Sequence, residues 1–445
     1  MRNKDPIRLS DEFTYKKLLV FTLPSIVMML FTSVYGIVDG LFVSNFAGKT
    51  PFAALNFIMP FLLILGTVGF MFGAGGSALV SKTLGEGKPE EASRIFSLLV
   101  YVSFAIAVAL AVAGSIFLRP AARLLGAGDL IDDCVRYGRI ILLALPVYVL
   151  QMEFQSFFIT AEKPRLGLLF TVGAGVVNII LDAIFVGACK WGLTGAAAAT
   201  VIGQAVGGVG PLFYFFGKNG SLLHLGKTKW QGRSVLRACT NGSSEFMSNI
   251  AMSVVSMLYN MQLMKYAGED GVAAYGVMMY VGFVFVAIFI GYSIGVAPVF
   301  GYNYGALNRE RLKSTLKKSL TIIGITSLCM FGIAEGLSVP FSKLFTGYDA
   351  ALYRMTRRGF LLYSFSFLFA GFNIFGSSFF TALSNGLVSA IISFLRTLLF
   401  QVVAVLTLPL IWGINGIWIS IVAADAAALV VTAAFLLALR RKYGY

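Results

Sequence analysis

The feature that most constrains this chain is a series of apolar runs of about twenty or more residues, each bounded by charged residues, Gly or Pro. About twenty helical residues span the hydrocarbon core of a bilayer, which is about 30 Å thick. Backbone polar groups in lipid must be bonded within the protein, so only helices or closed barrels cross a membrane. The alternating ten-residue segments of a barrel are absent, and we therefore predict an all-α polytopic membrane protein.

We predict twelve transmembrane helices from these runs. They cover residues 18–43, 52–81, 95–118, 137–160, 166–188, 193–216, 235–264, 272–303, 315–339, 359–382, 387–411 and 415–439. Composition agrees, because 58% of the 445 residues are hydrophobic and only 12% are charged. A soluble domain has about 45 to 50% apolar and 25% charged residues.

The distribution of basic residues predicts the orientation. By loop parity, 23 Lys and Arg residues lie on the side of the N-terminus and 11 lie on the opposite side. Cytoplasmic loops carry the excess of Lys and Arg, so we expect both termini to be cytoplasmic and the protein to be a multi-pass protein of the inner (plasma) membrane. The third and ninth loops hold most of the opposing charges and have the composition of interfacial amphipathic segments.

The chain repeats itself at an offset of about 220 residues. Gly48 and the Ala53-Ala54 pair match Gly268 and Ala273-Ala274, while the Trp191-to-Gly195 motif matches Trp412 to Gly416 at 221. Six helices in each unit leave both halves with the same orientation, as in parallel-repeat transporters. We predict two pseudo-symmetric six-helix lobes, residues 1–216 and 234–445, joined by a cytoplasmic linker of residues 217–233.

Intramembrane polar residues in the first lobe form a candidate ion-coupling site. Asp39 and Asp182 are expected at one depth, Asn178 is one turn from Asp182, and Thr200 reaches a similar level. Acids inside a membrane face protein or a wet cavity and mark ion or proton pathways. In the second half of the repeat, Tyr259 stands at the position of Asp39. Leu399 and Val403 stand at the positions of Asn178 and Asp182, so the set is specific to the first lobe. It suits a proton or Na⁺; an outer polar cluster satisfied by water is the alternative.

Pro24 lies in the same span as Asp39. A proline removes one backbone hydrogen bond and crowds the preceding turn. We predict that the first helix bends there, although a packing kink without functional consequence would look the same.

Other intramembrane polar residues are candidates for a substrate cavity. They are Gln151, Glu153, Gln155, Tyr259, Glu245, Asn373 and Arg396. Arg396 also has a structural interpretation, in which it pairs with Asp425 or Glu245 and satisfies the second lobe.

Several functional classes are disfavoured. The four cysteines are far apart and the single histidine, His224, has no neighbours at ligand spacing, so we expect no metal and no cofactor other than a coupling ion. The net charge of +15 lies in short loops, where it sets topology and contacts anionic lipid, and we expect no binding to nucleic acid. No pair of groups at catalytic spacing indicates an enzyme.

The sequence resembles the MATE (multidrug and toxic compound extrusion) family over nearly its full length. The resemblance rests on the repeat, on Pro24 and Asp39 followed by Gly48, on Gly85 before the third span, and on Asn178, Asp182 and Thr200, a set similar to the DinF-like branch. It implies proton-linked export with the first-lobe acids titrating and the first helix bending at its proline. The sodium-coupled NorM-like branch carries acids in spans seven and ten, whereas span ten here offers Asn373.

We therefore predict a secondary active antiporter that exports cationic or amphipathic organic molecules in exchange for protons or Na⁺. We expect it to act as a monomer in the lipid bilayer on a small-molecule substrate. A lipid-linked or other solute flippase of the same superfamily is the alternative, and it usually has more spans or a strongly cationic cavity. A major-facilitator carrier would carry an Asp-Arg-rich motif where this chain reads Leu84 to Glu91. Channel or receptor function is disfavoured by the repeat and the buried acids.

Overall fold

The computed structural model describes residues 7–47, 49–125, 127–346 and 349–445. Gly48 of the repeat motif and Arg2 and Lys4 of the charge count lie outside them. Within the described ranges the regular structure is entirely helical. The α-helices are α1 (Tyr15–Phe42), α2 (Lys49–Gly85), α3 (Pro89–Leu124), α4 (Ile131–Thr160), α5 (Pro164–Asp182), α6 (Gly192–Phe216), α7 (Gly232–Gly305), α8 (Arg309–Thr346), α9 (Ala350–Ser364), α10 (Phe367–Ala382), α11 (Gly386–Phe394), α12 (Phe400–Trp412), α13 (Ile414–Ala438) and α14 (Arg440–Tyr443).

These helices make twelve membrane crossings, as predicted. Ten helical segments of the described chain are long and apolar enough to cross a membrane, and the pair α9 and α10, bent by 47°, makes a further one. Helix α7 has 74 residues, and its backbone turns out of the helix at Gly268, where φ is 63° and ψ is −152°. A positive φ is accessible to glycine because it has no Cβ. The chain folds back there, so α7 contributes two crossings.

The backbone repeats the internal symmetry seen in the sequence. Gly87 and Leu307, 220 residues apart, both have positive φ, of 76° and 54°. Gly192 and Gly413, 221 residues apart, have φ of 57° and 55°. The same turns therefore end the same helices in each lobe, which confirms two pseudo-symmetric six-helix units. The exact domain boundaries at residues 216 and 234 stay a prediction.

The two lobes are in tight contact at the end of the molecule that carries the termini. A Cβ added to Gly305 would lie 2.0 Å from the carbonyl oxygen of Lys82, and one added to Gly242 would lie 1.9 Å from that of Met71. Such small residues let helices approach until their backbones touch. Helices α2 and α7 are closed against each other at this end.

The loop between α6 and α7 is docked on the first lobe. Leu223 is fully buried in the core of this lobe. Ser97 donates a hydrogen bond to the carbonyl oxygen of His224, and Thr228 donates one to that of Arg94. The predicted linker is thus a structured element on α3.

The N-terminal segment bridges the lobes at the same end. The amide of Leu9 donates to Glu162 Oε1 of the first lobe at 2.6 Å, while Lys318 Nζ of the second lobe donates to the carbonyl oxygen of Phe13 at 2.7 Å. Leu9 and Phe13 are buried in a cluster with α7 and α8 residues. We call residues 9–13 the N-terminal strap.

Helices extend beyond the predicted spans where apolar composition ends but helical hydrogen bonding continues. Helix α3 runs on to Leu124, and α8 runs from Arg309 to Thr346. The predicted span 359–382 is two helices, because the chain bends between α9 and α10.

Candidate functional site

The two acids of the first lobe meet between α1 and α5. Asp39 lies in the last turn of α1 and is half-buried, and Asp182 is the final residue of α5 and is fully buried. Their carboxyl groups are direct neighbours. The sequence placed Asp39 and Asp182 at one depth in the membrane, and in the structure the two side chains are neighbours.

Close helix packing holds this arrangement. A Cβ at Gly175 would lie 2.4 Å from the ring of Phe31 and 3.3 Å from that of Tyr35, so α5 is pressed against α1 one turn before Asp39. A Cβ at Gly203 would lie 2.9 Å from the Cβ of Asn178, which brings α6 against α5. The glycines fix the relative positions of the three helices that carry the polar set.

The polar atoms of this set are buried without partners among the described residues. They are Asp39 Oδ1, Asn178 Nδ2 and Oδ1, Asp182 Oδ1 and Oδ2, Thr200 Oγ1 and Gln204 Oε1. A buried ionised carboxylate without a partner is costly and is neutralised by a proton or an ion. The arrangement can thus take up a cation or a proton, and Gln204 joins the set found from sequence.

Both acids lie where an α-helix changes into a π-helical turn. The turn Val43–Ala47 begins one turn after Asp39, and the turn Ala183–Ala188 begins directly after Asp182. The amide of Ala183 is shared between the carbonyl oxygens of Ile179 and Ile180. π-Helical turns are rare and are frequent at functional sites.

Tyr137 is a site residue that the sequence analysis missed. It lies on α4, is 1% exposed, and the charges of both Asp39 and Asp182 act on its hydroxyl. In the sequence analysis Tyr137 was only the first residue of the predicted span 137–160. The one signal was its position as a polar aromatic residue at the depth of the two acids.

Pro24 lies within α1, which runs without interruption from Tyr15 to Phe42. The adjacent residues touch the second lobe, because a Cβ at Gly291 would lie 2.5 Å from Ile26 Cα and one at Gly295 would lie 3.0 Å from Thr22 Cβ. The hydrogen bond that Pro24 cannot make is therefore missing at the lobe interface.

The second lobe contains a cavity of about 290 Å³. Four of the residues selected from sequence line it: Tyr259, Glu245, Asn373 and Arg396. Tyr259 donates to Gln401 Oε1 at 2.6 Å and stacks on Tyr275 with ring centroids 5.4 Å apart. The remainder of the wall is mainly apolar with serine hydroxyls, which is typical of a small-molecule pocket.

The other three candidates lie elsewhere, on α4. Glu153 is fully buried and accepts a hydrogen bond from Ser103 on α3. Gln151 packs on Gly207 of α6, where an added Cβ would lie 2.7 Å from its Cδ. Gln155 is 5% exposed. These three side chains are not among the residues that line the second-lobe cavity.

Arg396 pairs with Asp425 rather than with Glu245. Its Nε donates to Asp425 Oδ1 at 2.7 Å, and Asp425 is 3% exposed. Asn373 donates to the backbone carbonyl oxygen of Asp425 at 2.8 Å and accepts from Thr432 at 3.0 Å. No group of three or more His, Cys, Asp or Glu side chains in the described ranges is arranged to hold a metal ion.

Curated relatives of similar length are multidrug exporters. The chain is 26% identical over 336 residues to the multidrug export protein MepA of Staphylococcus haemolyticus, which covers 74% of this chain and 73% of the relative. It is 25% identical over 382 residues to MepA of Staphylococcus saprophyticus, covering 83% and 84%.

Solved structures have the same fold. An outward-facing MATE family multidrug resistance transporter superimposes with a TM-score of 0.91 at 21% identity and covers 99% of this chain and 100% of that one. A MATE crystal structure in the straight conformation gives the same TM-score, identity and coverage. The family model MatE matches residues 24–184 and 246–407, one segment in each lobe and well over half of the chain. The chain is a multi-pass membrane transporter that belongs to the MatE family.

Proposed function

We propose that this protein is a proton-coupled antiporter that exports organic, cationic or amphipathic molecules by alternating access. The observation that carries the proposal is the neighbouring pair Asp39 and Asp182, whose buried carboxylate oxygens lack protein partners. The MatE family and the multidrug relatives support the coarser assignment to drug export. The coupling ion and the substrate class are our inference.

The pair converts ion binding into a change of lobe packing. A proton removes one buried charge and lets the two carboxyl groups share a hydrogen bond. When both carboxyl groups are ionised, the two neighbouring negative charges repel each other, which favours separation of the end of α1 from α5. A ligand shifts such an equilibrium only by its differential affinity for the two states. We infer that protonation and substrate binding favour different positions of α1, so that each weakens the other.

The contact between α2 and α7 supplies the gate on one side. Closure at Gly242 and Gly305 blocks the end that carries the termini. We infer from the basic-residue count that this end is cytoplasmic. The exposed native Cys189, in the loop after α5, is then extracellular. An impermeant maleimide should label Cys189 on intact cells, and a Lys229→Cys variant in a Cys189→Ser background should stay unlabelled; the reverse pattern contradicts this orientation.

Proteoliposomes with independently imposed gradients test the coupling ion. We expect a pH gradient alone to drive export of a cationic dye, and a Na⁺ gradient alone to drive none. Asp39→Asn and Asp182→Asn should each abolish pH-driven export. An absolute requirement for Na⁺ would instead assign the oxygens of Asn178 and Thr200, together with the acids, to a sodium site.

The matched control is Asp132→Asn, which makes the same substitution at an exposed aspartate whose partner is Arg119. It should export at the wild-type rate. pH-driven export that is unimpaired in both first-lobe variants contradicts the proposal.

A further inference from the structure

The charges in the second-lobe cavity are arranged asymmetrically. Among the described residues that line it, Arg396 is the only base and Glu245 is the only acid. Asp425, the partner of Arg396, is not part of the wall and lies behind it, with its side chain 4% exposed against 19% for Arg396. The positive group therefore faces the cavity while its counter-charge is enclosed in protein.

The ion pair leaves most of the guanidinium unused. Within the described part of the chain, Arg396 makes one side-chain hydrogen bond, from Nε to Asp425 Oδ1. A guanidinium carries five N–H donors in a planar fork that matches a carboxylate with two parallel hydrogen bonds. The four N–H groups on Nη1 and Nη2 thus have no hydrogen-bond acceptor among the described residues, and the side chain lines the cavity.

The local backbone also distinguishes this residue. Arg396 lies within a π-helical turn, Leu395–Leu399, between α11 and α12. The repeat places Gly175 at the equivalent position of the first lobe, where α5 is regular α-helix, and Gln204 at the position of Asp425. Each of the three π-helical turns in the described ranges contains an intramembrane ionisable residue or begins within one helical turn of one, namely Arg396, Asp182 and Asp39.

Packing alone does not account for the pair. A buried ion pair is often no more stabilising than apolar residues of the same volume, because both ions lose their hydration. Bases inside a membrane are rare, and they commonly mark a substrate or ion pathway. The first lobe folds in the same way with glycine and glutamine in these places, so the fold does not require the two charges.

We propose that Arg396 is an anion subsite that binds the carboxylate of an aromatic, amphipathic substrate. The body of the substrate lies against the mainly apolar wall, which includes the exposed side chains of Met252 and Phe283. Asp425 holds the guanidinium in place through Nε. Zwitterions fit in the same pose with their amine toward Glu245, whose carboxyl lies within the field of Arg396. This inference rests on the proposed function, because it names a substrate class for the same exporter.

Equilibrium binding to purified protein in nanodiscs tests it without any gradient. The probes are dansylglycine, which carries a free carboxylate, and dansylglycine methyl ester, which has the same aromatic body without the charge. A charge-assisted bidentate contact in a mainly apolar cavity should make the carboxylate probe bind at least about tenfold more tightly to the wild type. Dansyl fluorescence reports both affinities.

Two variants separate the anion subsite from a structural role. Arg396→Gln alone leaves Asp425 without a partner and risks misfolding, so Arg396→Gln is combined with Asp425→Asn. This neutral pair should bind both probes equally. Asp425→Asn alone frees the guanidinium and should bind dansylglycine more tightly than the wild type does. Arg358→Gln, which removes an exposed arginine of the same lobe, should keep the wild-type preference.

The proposal is overturned if the wild type shows no saturable dansylglycine binding or no preference for it over the ester. It is equally overturned if the double variant retains the preference, or if Arg358→Gln loses it. Failure of proton-driven export with the carboxylate preference intact would instead refute only the antiport mechanism.

Discussion

Gly85 packs so closely on Tyr302 that a Cβ added to it would lie 2.0 Å from the Tyr302 carbonyl oxygen. The contact joins the end of α2 to the end of α7 and is backbone against backbone. No side-chain rotation can relieve such an overlap. Helices α2 and α7 can therefore close at this end of the molecule only because Gly85 has no Cβ.

Gly85→Ala should prevent closure. We expect α2 and α7 to separate, the populations of the two access states to shift, and transport to fall by at least about tenfold, since about 1.4 kcal/mol of differential stability is a tenfold change. Spin labels at the exposed positions Lys88 and Leu307 measure the separation. Gly332→Ala is the control, because nothing lies within 4 Å of a Cβ there. An unchanged distance distribution together with normal transport would refute this role.

The N-terminal strap should respond to pH through Glu162. Burial raises the pKa of Glu162 by more than its hydrogen bond from Leu9 lowers it. The docked strap therefore favours the protonated acid. Its contribution to docking is fully present below the ordinary glutamate value of 4.5 and is lost as pH rises through the higher value of the docked state.

A spin label at the exposed position Glu12 measures docking of the strap. It should become more mobile as pH rises in the wild type and should not respond to pH in Glu162→Gln, whose amide oxygen still accepts from Leu9. Equal pH responses in the two proteins would show that another group controls the strap.

Leu307→Gly should stabilise the protein. Leu307 has φ of 54° and is 81% exposed, whereas its counterpart in the first lobe is Gly87. A left-handed conformation at a residue with a Cβ costs about 1 to 2 kcal/mol, partly offset by the greater freedom of glycine in the unfolded chain. We expect a gain of about 1 kcal/mol in thermal unfolding experiments. Gly87→Ala should show a loss of similar size, and a less stable Leu307→Gly protein would contradict the argument.

The sequence predicted the crossings well because hydropathy and length are local properties. It also separated the two halves of α7, since Gly268 interrupts an apolar pattern. Asp39 and Asp182 were brought together by counting residues along rigid helices of known rise. Such counting works where a helix is straight and a bilayer fixes its depth.

What the sequence could not predict depends on contacts between distant segments. The docking of Leu223 on α3, the strap at Leu9 and the position of Tyr137 beside the acids leave no periodic pattern. The π-helical turns could not be predicted for the same reason, because they depend on how the neighbouring helices pack. Gln151, Glu153 and Gln155 were selected for polarity; they do not line the second-lobe cavity, and their role in binding a substrate stays a prediction.

Pro24→Ala should slow transport without lowering the stability of the protein. The substitution restores a hydrogen bond to α1, so stability should be unchanged or higher, by at most about 3 kcal/mol. Transport should slow several-fold, because α1 then resists bending beside Gly291 and Gly295. Pro340→Ala, an exposed proline within α8, is the control and should transport normally. Wild-type transport by a folded Pro24→Ala protein would remove the proline from the mechanism.

Proton release on substrate binding tests the central claim most directly. In weakly buffered detergent solution, addition of a saturating cationic substrate to the wild type should release protons, because the substrate-bound state favours the charged acids. Asp39→Asn and Asp182→Asn should bind the substrate and release none, while Asp132→Asn should release as many as the wild type. Proton release of the same size from both first-lobe variants would contradict the assignment of coupling to Asp39 and Asp182.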